Sequence, residues 1–168
     1  GFFAPLLSHC TSEEDVLDSS QLINQLCIKF KEKAAASVDA AVIPFLRKVL
    51  TIQISGLEMK SNDDDVSPMP RLVSHSTEQL FIRKQAFSTL QHIAVHNVSA
   101  VLYSESNVAS LGDALQLMND GISVPDPVII KTCTVFFCEL IKQWGCQSLA
   151  PLTVNNAFFD FVYNVFVP

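Results

Sequence analysis

Apolar residues recur at helical spacing along most of this chain. Residues 127–145, "PVIIKTCTVFFCELIKQWG", show the pattern best. At about 100° per residue, Ile129, Ile130, Cys133, Phe136, Phe137, Leu140, Ile141 and Trp144 fall on one broad arc. Lys131, Thr132, Thr134, Glu139, Lys142 and Gln143 fall on the other. An arc that wide predicts a half-buried helix packed on both flanks. The preceding "PDP" supplies its start: Asp126 can cap it, and Pro127 suits the first helical position. Gly145 marks its end.

The same period predicts five more helices. One covers 18–33, with Leu22, Ile23, Leu26, Cys27 and Phe30 on one face and Asp18 or Ser19 as its cap. "TSEED" (11–15) reads as a solvated lead-in. A second covers 38–58, with Val42, Phe45, Leu46, Val49 and Leu50 facing the core. Pro44 should bend it or mark its true start. A third runs over 77–97, capped by Ser76 or Thr77. A fourth covers 107–120 and stops at Gly121, taken as a left-handed terminator. The sixth begins near Asn155 and runs to the chain end. The fold class is therefore all-α, as antiparallel helix pairs.

Residues 59–76, "MKSNDDDVSPMPRLVSHS", break the period. Asp63–Asp65 and two prolines make this an acidic, exposed insertion. A calcium-loop reading fails, because the spaced ligands, central glycine and closing glutamate of an EF-hand are missing.

Composition narrows the function. The chain has 168 residues, 49% of them apolar and 5 of them glycine, which suits one helical domain or one segment of a larger array. It begins at Gly1 and ends on an apolar stretch, as if cut from something longer. Its formal charge of −6 does not fit a strongly basic nucleic-acid domain, so phosphate binding would rest on local patches. The five cysteines, Cys10, Cys27, Cys133, Cys138 and Cys146, show no CxxC spacing and read as reduced packing residues. No secretory signal is evident. "AFFDFVYNVFV" is too short to span a bilayer, which needs about 20 residues, so no membrane insertion is expected.

Enzyme signatures are missing. There is no GxSxG, Walker loop or dinucleotide fingerprint. His92 and His96 share a helix face, but Ile93, Ala94 and Val95 separate them, without the glutamate of a zinc-protease helix. They read as two exposed histidines on a polar stripe. No enzyme, metal or cofactor is expected.

Several stretches together resemble a known family. These are "LINQLCIKFK" (22–31), "IPFLRKVL" (43–50), "EQLFIRKQAFSTLQ" (78–91), "VPDPVIIKTC" (124–133), "WG" (144–145) and "FDFVYNVFVP" (159–168). In this order and spacing they resemble the C-terminal HEAT repeats of the tRNA exportins, of the importin-β (karyopherin) superfamily. The resemblance spans nearly all of 15–168. It departs at the acidic insertion and at "GCQSLAPLTVNN" (145–156).

The resemblance implies a HEAT-repeat α-solenoid, with about three partial or complete repeats over 1–168. It implies a shuttling receptor that carries mature tRNA from nucleus to cytoplasm with GTP-bound Ran, past nuclear pore proteins. The Ran-binding arch would lie outside this segment. In this arrangement 38–58 and 107–120 are outer helices. The helices over 77–97 and 127–145 are inner, as is the first. Lys29, Lys33, Lys84, Lys131 and Lys142 are then the candidates for tRNA backbone contact. Arg83, Asp126 and Trp144 are expected to be structural contacts between repeats. The alternative is a HEAT-type protein–protein scaffold with no RNA role.

Overall fold

Every element among the described residues is helical. The structure, a computed structural model, describes residues 13–58, 77–146 and 149–166. Six α-helices lie among the described residues: α1 (Glu13–Phe30), α2 (Ala35–Glu58), α3 (Thr77–Val95), α4 (Leu111–Ile122), α5 (Pro127–Leu140) and α6 (Leu152–Phe166). The insertion over 59–76, with Asp63–Asp65 and the Ser76 cap, lies outside the described residues, as does Cys10. So do the side chains of Leu50 and Cys146.

α1 begins earlier than its apolar pattern suggests. Its buried stripe is Val16, Ser20, Ile23 and Cys27, at helical spacing. Serine at a core position hides that stripe from a hydropathy reading. Asp18 and Ser19 therefore lie inside the helix and do not cap it, and 13–15 belong to it as well. Leu22 and Leu26 are only half-buried, and Phe30, expected in the core, is 54% exposed.

Ser20 has its partner on α3. Its hydroxyl lies 3.0 Å from that of Thr89, and both residues are buried. The Asn24 amide reaches Ser88 Oγ at 3.5 Å. The α1–α3 contact is thus a polar seam set among apolar neighbours, and pairing its hydroxyls lowers the cost of burying them.

Pro44 neither starts α2 nor ends it; the helix begins at Ala35 and continues to Glu58. Pro44 and Ala40 are both exposed, so the carbonyl that loses its amide partner faces solvent. The opposite face buries Val38, Val42, Phe45, Leu46 and Val49.

After α3, Asn97 takes a left-handed conformation with φ of 60°. A 3-10 segment, Ser99–Tyr103, then buries Val101 and Leu102 against α2. The buried Asn107 fixes the next turn, donating to the Asp39 carbonyl at 2.9 Å and the Val101 carbonyl at 2.9 Å. The helix expected over 107–120 is a short 3-10 turn, Val108–Ser110, followed by α4.

Gly121 does not terminate α4 in a left-handed conformation. It sits inside the helix, and no glycine among the described residues has positive φ. A Cβ there would collide with Cys133 Sγ and stand 3.0 Å from a Phe87 ring carbon. Close approach of α4 to α5 and α3 is what requires glycine here.

α5 starts as its sequence predicts. Asp126 caps it, accepting from the Val128 amide at 2.8 Å and the Ile129 amide at 3.3 Å, with Pro127 in the first turn. Past Leu140 the chain widens into a π-turn, Ile141–Cys146, which includes Gly145. That widening moves Gln143 off the polar arc. It is 1% exposed, donates to the Ala94 carbonyl at 2.6 Å and accepts from Ser99 Oγ at 2.7 Å. Ile130, expected in the core, is 37% exposed. α6 starts at Leu152 rather than near Asn155.

The helices pack in a regular order. α1 lies against α3, and α3 against α5. α2 packs on α1, α3 and the 3-10 segment, while α4 packs on α5. Among the described residues no helix is long and apolar enough to cross a membrane.

Candidate nucleic-acid interface

The five candidate lysines stand on α1, α3, α5 and their adjoining turns, which are successive neighbours. Lys29 lies in the last turn of α1 and Lys33 in the 3-10 turn Lys31–Ala34. Both are exposed, as is Lys131 on α5, and none of the three has an ion-pair partner among the described residues.

Lys84 and Lys142 are engaged. Lys84 Nζ on α3 lies 2.9 Å from Asp126 Oδ2, so it ties α3 to the start of α5. Lys142 lies 3.5 Å from Glu139, one turn earlier, with 60% of its own side chain exposed. Such exposed pairs are weak, and a phosphate can compete for their cations. The Asp126 carboxyl is held below its usual range, first by the hydrogen bond from Lys84 and then by the Ile129 amide. The candidate row thus offers three uncommitted cations and two that must exchange a carboxylate for a phosphate.

The three residues expected to be structural behave differently. Asp126 joins two helices through its cap and its ion pair. Trp144 is fully buried in the π-turn and donates from Nε1 to Ser99 Oγ at 3.1 Å. Its indole meets Phe158 of α6 edge-on at 5.0 Å and Tyr103 at 5.7 Å, so it links three elements. A structural contact by Arg83 would pair its guanidinium with an acid or carbonyl of a neighbouring element. Its Nε is buried without a hydrogen-bond partner among the described residues.

The His92 and His96 rings stack at 5.5 Å with 7° between their planes. Both are partly buried rather than fully exposed. Burial lowers both pKa values, with His96 acting further on His92 and Lys31 on His96. Among the described residues, no three His, Cys, Asp or Glu side chains cluster to hold a metal. Burial pushes the Cys27 thiol up to about 11 and the Cys133 thiol to about 12, which keeps both protonated. Cys133 is buried and Cys138 exposed, on opposite sides of α5.

Two residues beside the candidate lysines are not apparent from a helical wheel. Phe30 and Lys31 stand between Lys29 and Lys33, where α1 ends. The signal in the sequence is the alternation "KFKEK" (29–33), a basic run with an aromatic inside it.

No family model matches the chain, and no solved structure matches it. Curated proteins do. Exportin-T of Mus musculus is 26% identical over 165 residues, covering 97% of this chain and 15% of that protein. Exportin-T of Homo sapiens is 24% identical over 163 residues, with the same coverage. Exportin-T of Oryza sativa is 29% identical over 139 residues, or 80% of this chain. The chain spans about 15% of the length of the animal relatives. From one end to nearly the other, it is similar to a single short stretch of exportin-T.

Proposed function

We propose that this chain is a HEAT-repeat segment of a nuclear export receptor that carries tRNA together with GTP-bound Ran. The observation that carries the proposal is similarity over 97% of the chain to proteins that share the name Exportin-T. Two features of the fold support a solenoid. α1, α3 and α5 follow one another as neighbours, as the inner helices of successive repeats would. An apolar groove of about 320 Å³ opens between α4 and α6, and on the far face of α6 Leu152 is 73% and Tyr163 64% exposed. That surface suits a further helix pair.

On this proposal Lys29, Lys33 and Lys131 meet tRNA phosphates directly. Lys84 and Lys142 join after releasing Asp126 and Glu139. Contact is with the backbone and the shape of the RNA, since the five candidate cations are lysines, point charges without the planar fork that reads base edges. Ran and nuclear pore proteins bind elsewhere on the receptor, which shuttles between nucleus and cytoplasm. The formal charge of −6 favours a second reading, a scaffold that binds only proteins.

A chimera separates the two. The matching stretch of mouse exportin-T is replaced by this chain, and capture of tRNA is measured with and without GTP-loaded Ran. Capture of tRNA that strengthens with GTP-loaded Ran supports the receptor. A folded chimera indifferent to both supports the scaffold.

A further inference from the structure

The end of α1 has features that packing does not explain. Phe30 closes the helix with 54% of its surface exposed. Lys31 follows with φ of 50°, the left-handed region that costs an ordinary L-residue roughly 1–2 kcal/mol. α3 ends with the same left-handed geometry, but there the residue is Asn97, which tolerates it. α1 instead holds a long cation in a strained backbone, immediately after an exposed ring.

Charge adds to the pattern. Lys29, Lys31 and Lys33 are all exposed, and none has an ion-pair partner among the described residues. Glu32 is the single acid among residues 29–33, so the turn carries a formal charge of about +2 on a chain of −6. One lysine would suffice to complement the negative end of the helix. Three exposed lysines within five residues, with an exposed aromatic residue among them in sequence, exceed that need. The neighbouring end of α3 leaves the approach open, since Val95 and Asn97 are exposed there.

A flat ring among cations is the arrangement that takes an unpaired base on its face and the flanking phosphates on its lysines. We propose that residues 29–33 form a single-stranded RNA-binding turn: Phe30 stacks on an unpaired base, and Lys29, Lys31 and Lys33 hold the phosphates on either side. This rests on the RNA-carrying function proposed above and assigns it a second kind of contact. An acidic protein segment would use the lysines but would gain little from a planar ring.

The test uses the 168-residue chain at low salt with two labelled RNAs. One is a blunt-ended hairpin; the other is the same hairpin with six unpaired uridines at its 3′ end. Wild type should bind the tailed RNA more tightly. Phe30→Ala should remove that preference, weakening tailed RNA about tenfold while sparing the blunt hairpin, and Phe30→Trp should keep it. Lys31→Gln should weaken both. Circular dichroism verifies that each variant folds. The turn is overturned, with the wider RNA function intact, if Phe30→Ala binds tailed RNA like wild type or loses both RNAs equally. Equal competition by oligoglutamate and oligouridine of matched charge would also overturn it, in favour of a protein partner. Failure to bind either RNA sinks both proposals.

Discussion

Lys84 and Asp126 meet at 2.9 Å across the α3–α5 contact, and the same carboxylate caps α5. One side chain thus sets both where α5 begins and how it sits against its neighbour. Asp126→Ala should lower the melting temperature, and Asp126→Asn should lower it less, because an amide oxygen still caps. The pH dependence has a definite sign. The folded carboxyl lies below its usual 3.8, so the unfolded chain binds more protons near that value. The contribution is complete above pH 3.8 and disappears as pH falls through the folded value. Melting curves of wild type and Asp126→Asn should therefore converge in acid.

Gly121 is a packing glycine. Alanine there gains about 1 kcal/mol of helix propensity but drives its methyl into Cys133 Sγ and the Phe87 ring. Overpacking of this kind costs roughly 1–3 kcal/mol, so Gly121→Ala should be net destabilising in urea unfolding. The double variant Gly121→Ala with Cys133→Ala should recover part of the loss. A single variant as stable as wild type would contradict this account of the contact.

Ser99 serves two buried partners, donating to Gln143 Oε1 at 2.7 Å and accepting from Trp144 Nε1 at 3.1 Å. Ser99→Ala leaves an indole N–H and an amide oxygen unpaired in the interior. The expected cost is about 1–3 kcal/mol in chemical denaturation, far above that of a surface serine.

The His92–His96 stack should make the fold acid-sensitive. Both folded pKa values lie below 6.5, so the unfolded chain takes up more protons as pH drops past that point. Stability should hold above pH 6.5 and fall below it. Replacing both histidines with glutamine should flatten the melting temperature between pH 7 and 5.5. An unchanged slope would place the acid sensitivity elsewhere.

These sites differ in how far the sequence announces them. The cap at Asp126, Pro127 after it and the apolar arc to Leu140 follow from local spacing, and the fold keeps them. Gln143 does not follow, because the π-turn changes the angle per residue just where the wheel assumes 100°. α1 is misread at its start because Ser20 occupies a core position, satisfied by Thr89 from 69 residues away. Gly121 shows that a glycine at a helix end has two physical readings, and the choice depends on a neighbouring helix. For the candidate interface, the lysines are visible as letters. Which are free and which are tied is set by tertiary contacts such as Lys84–Asp126.

The most direct test of the proposed RNA-contacting row is the salt dependence of tRNA binding by this chain. Binding should be weak and steeply salt-sensitive. The combined variant Lys29→Gln, Lys33→Gln and Lys131→Gln should reduce the slope of log affinity against log salt by roughly one unit per lysine in contact. Tight binding indifferent to salt, or a slope that the three substitutions leave unchanged, would contradict the account.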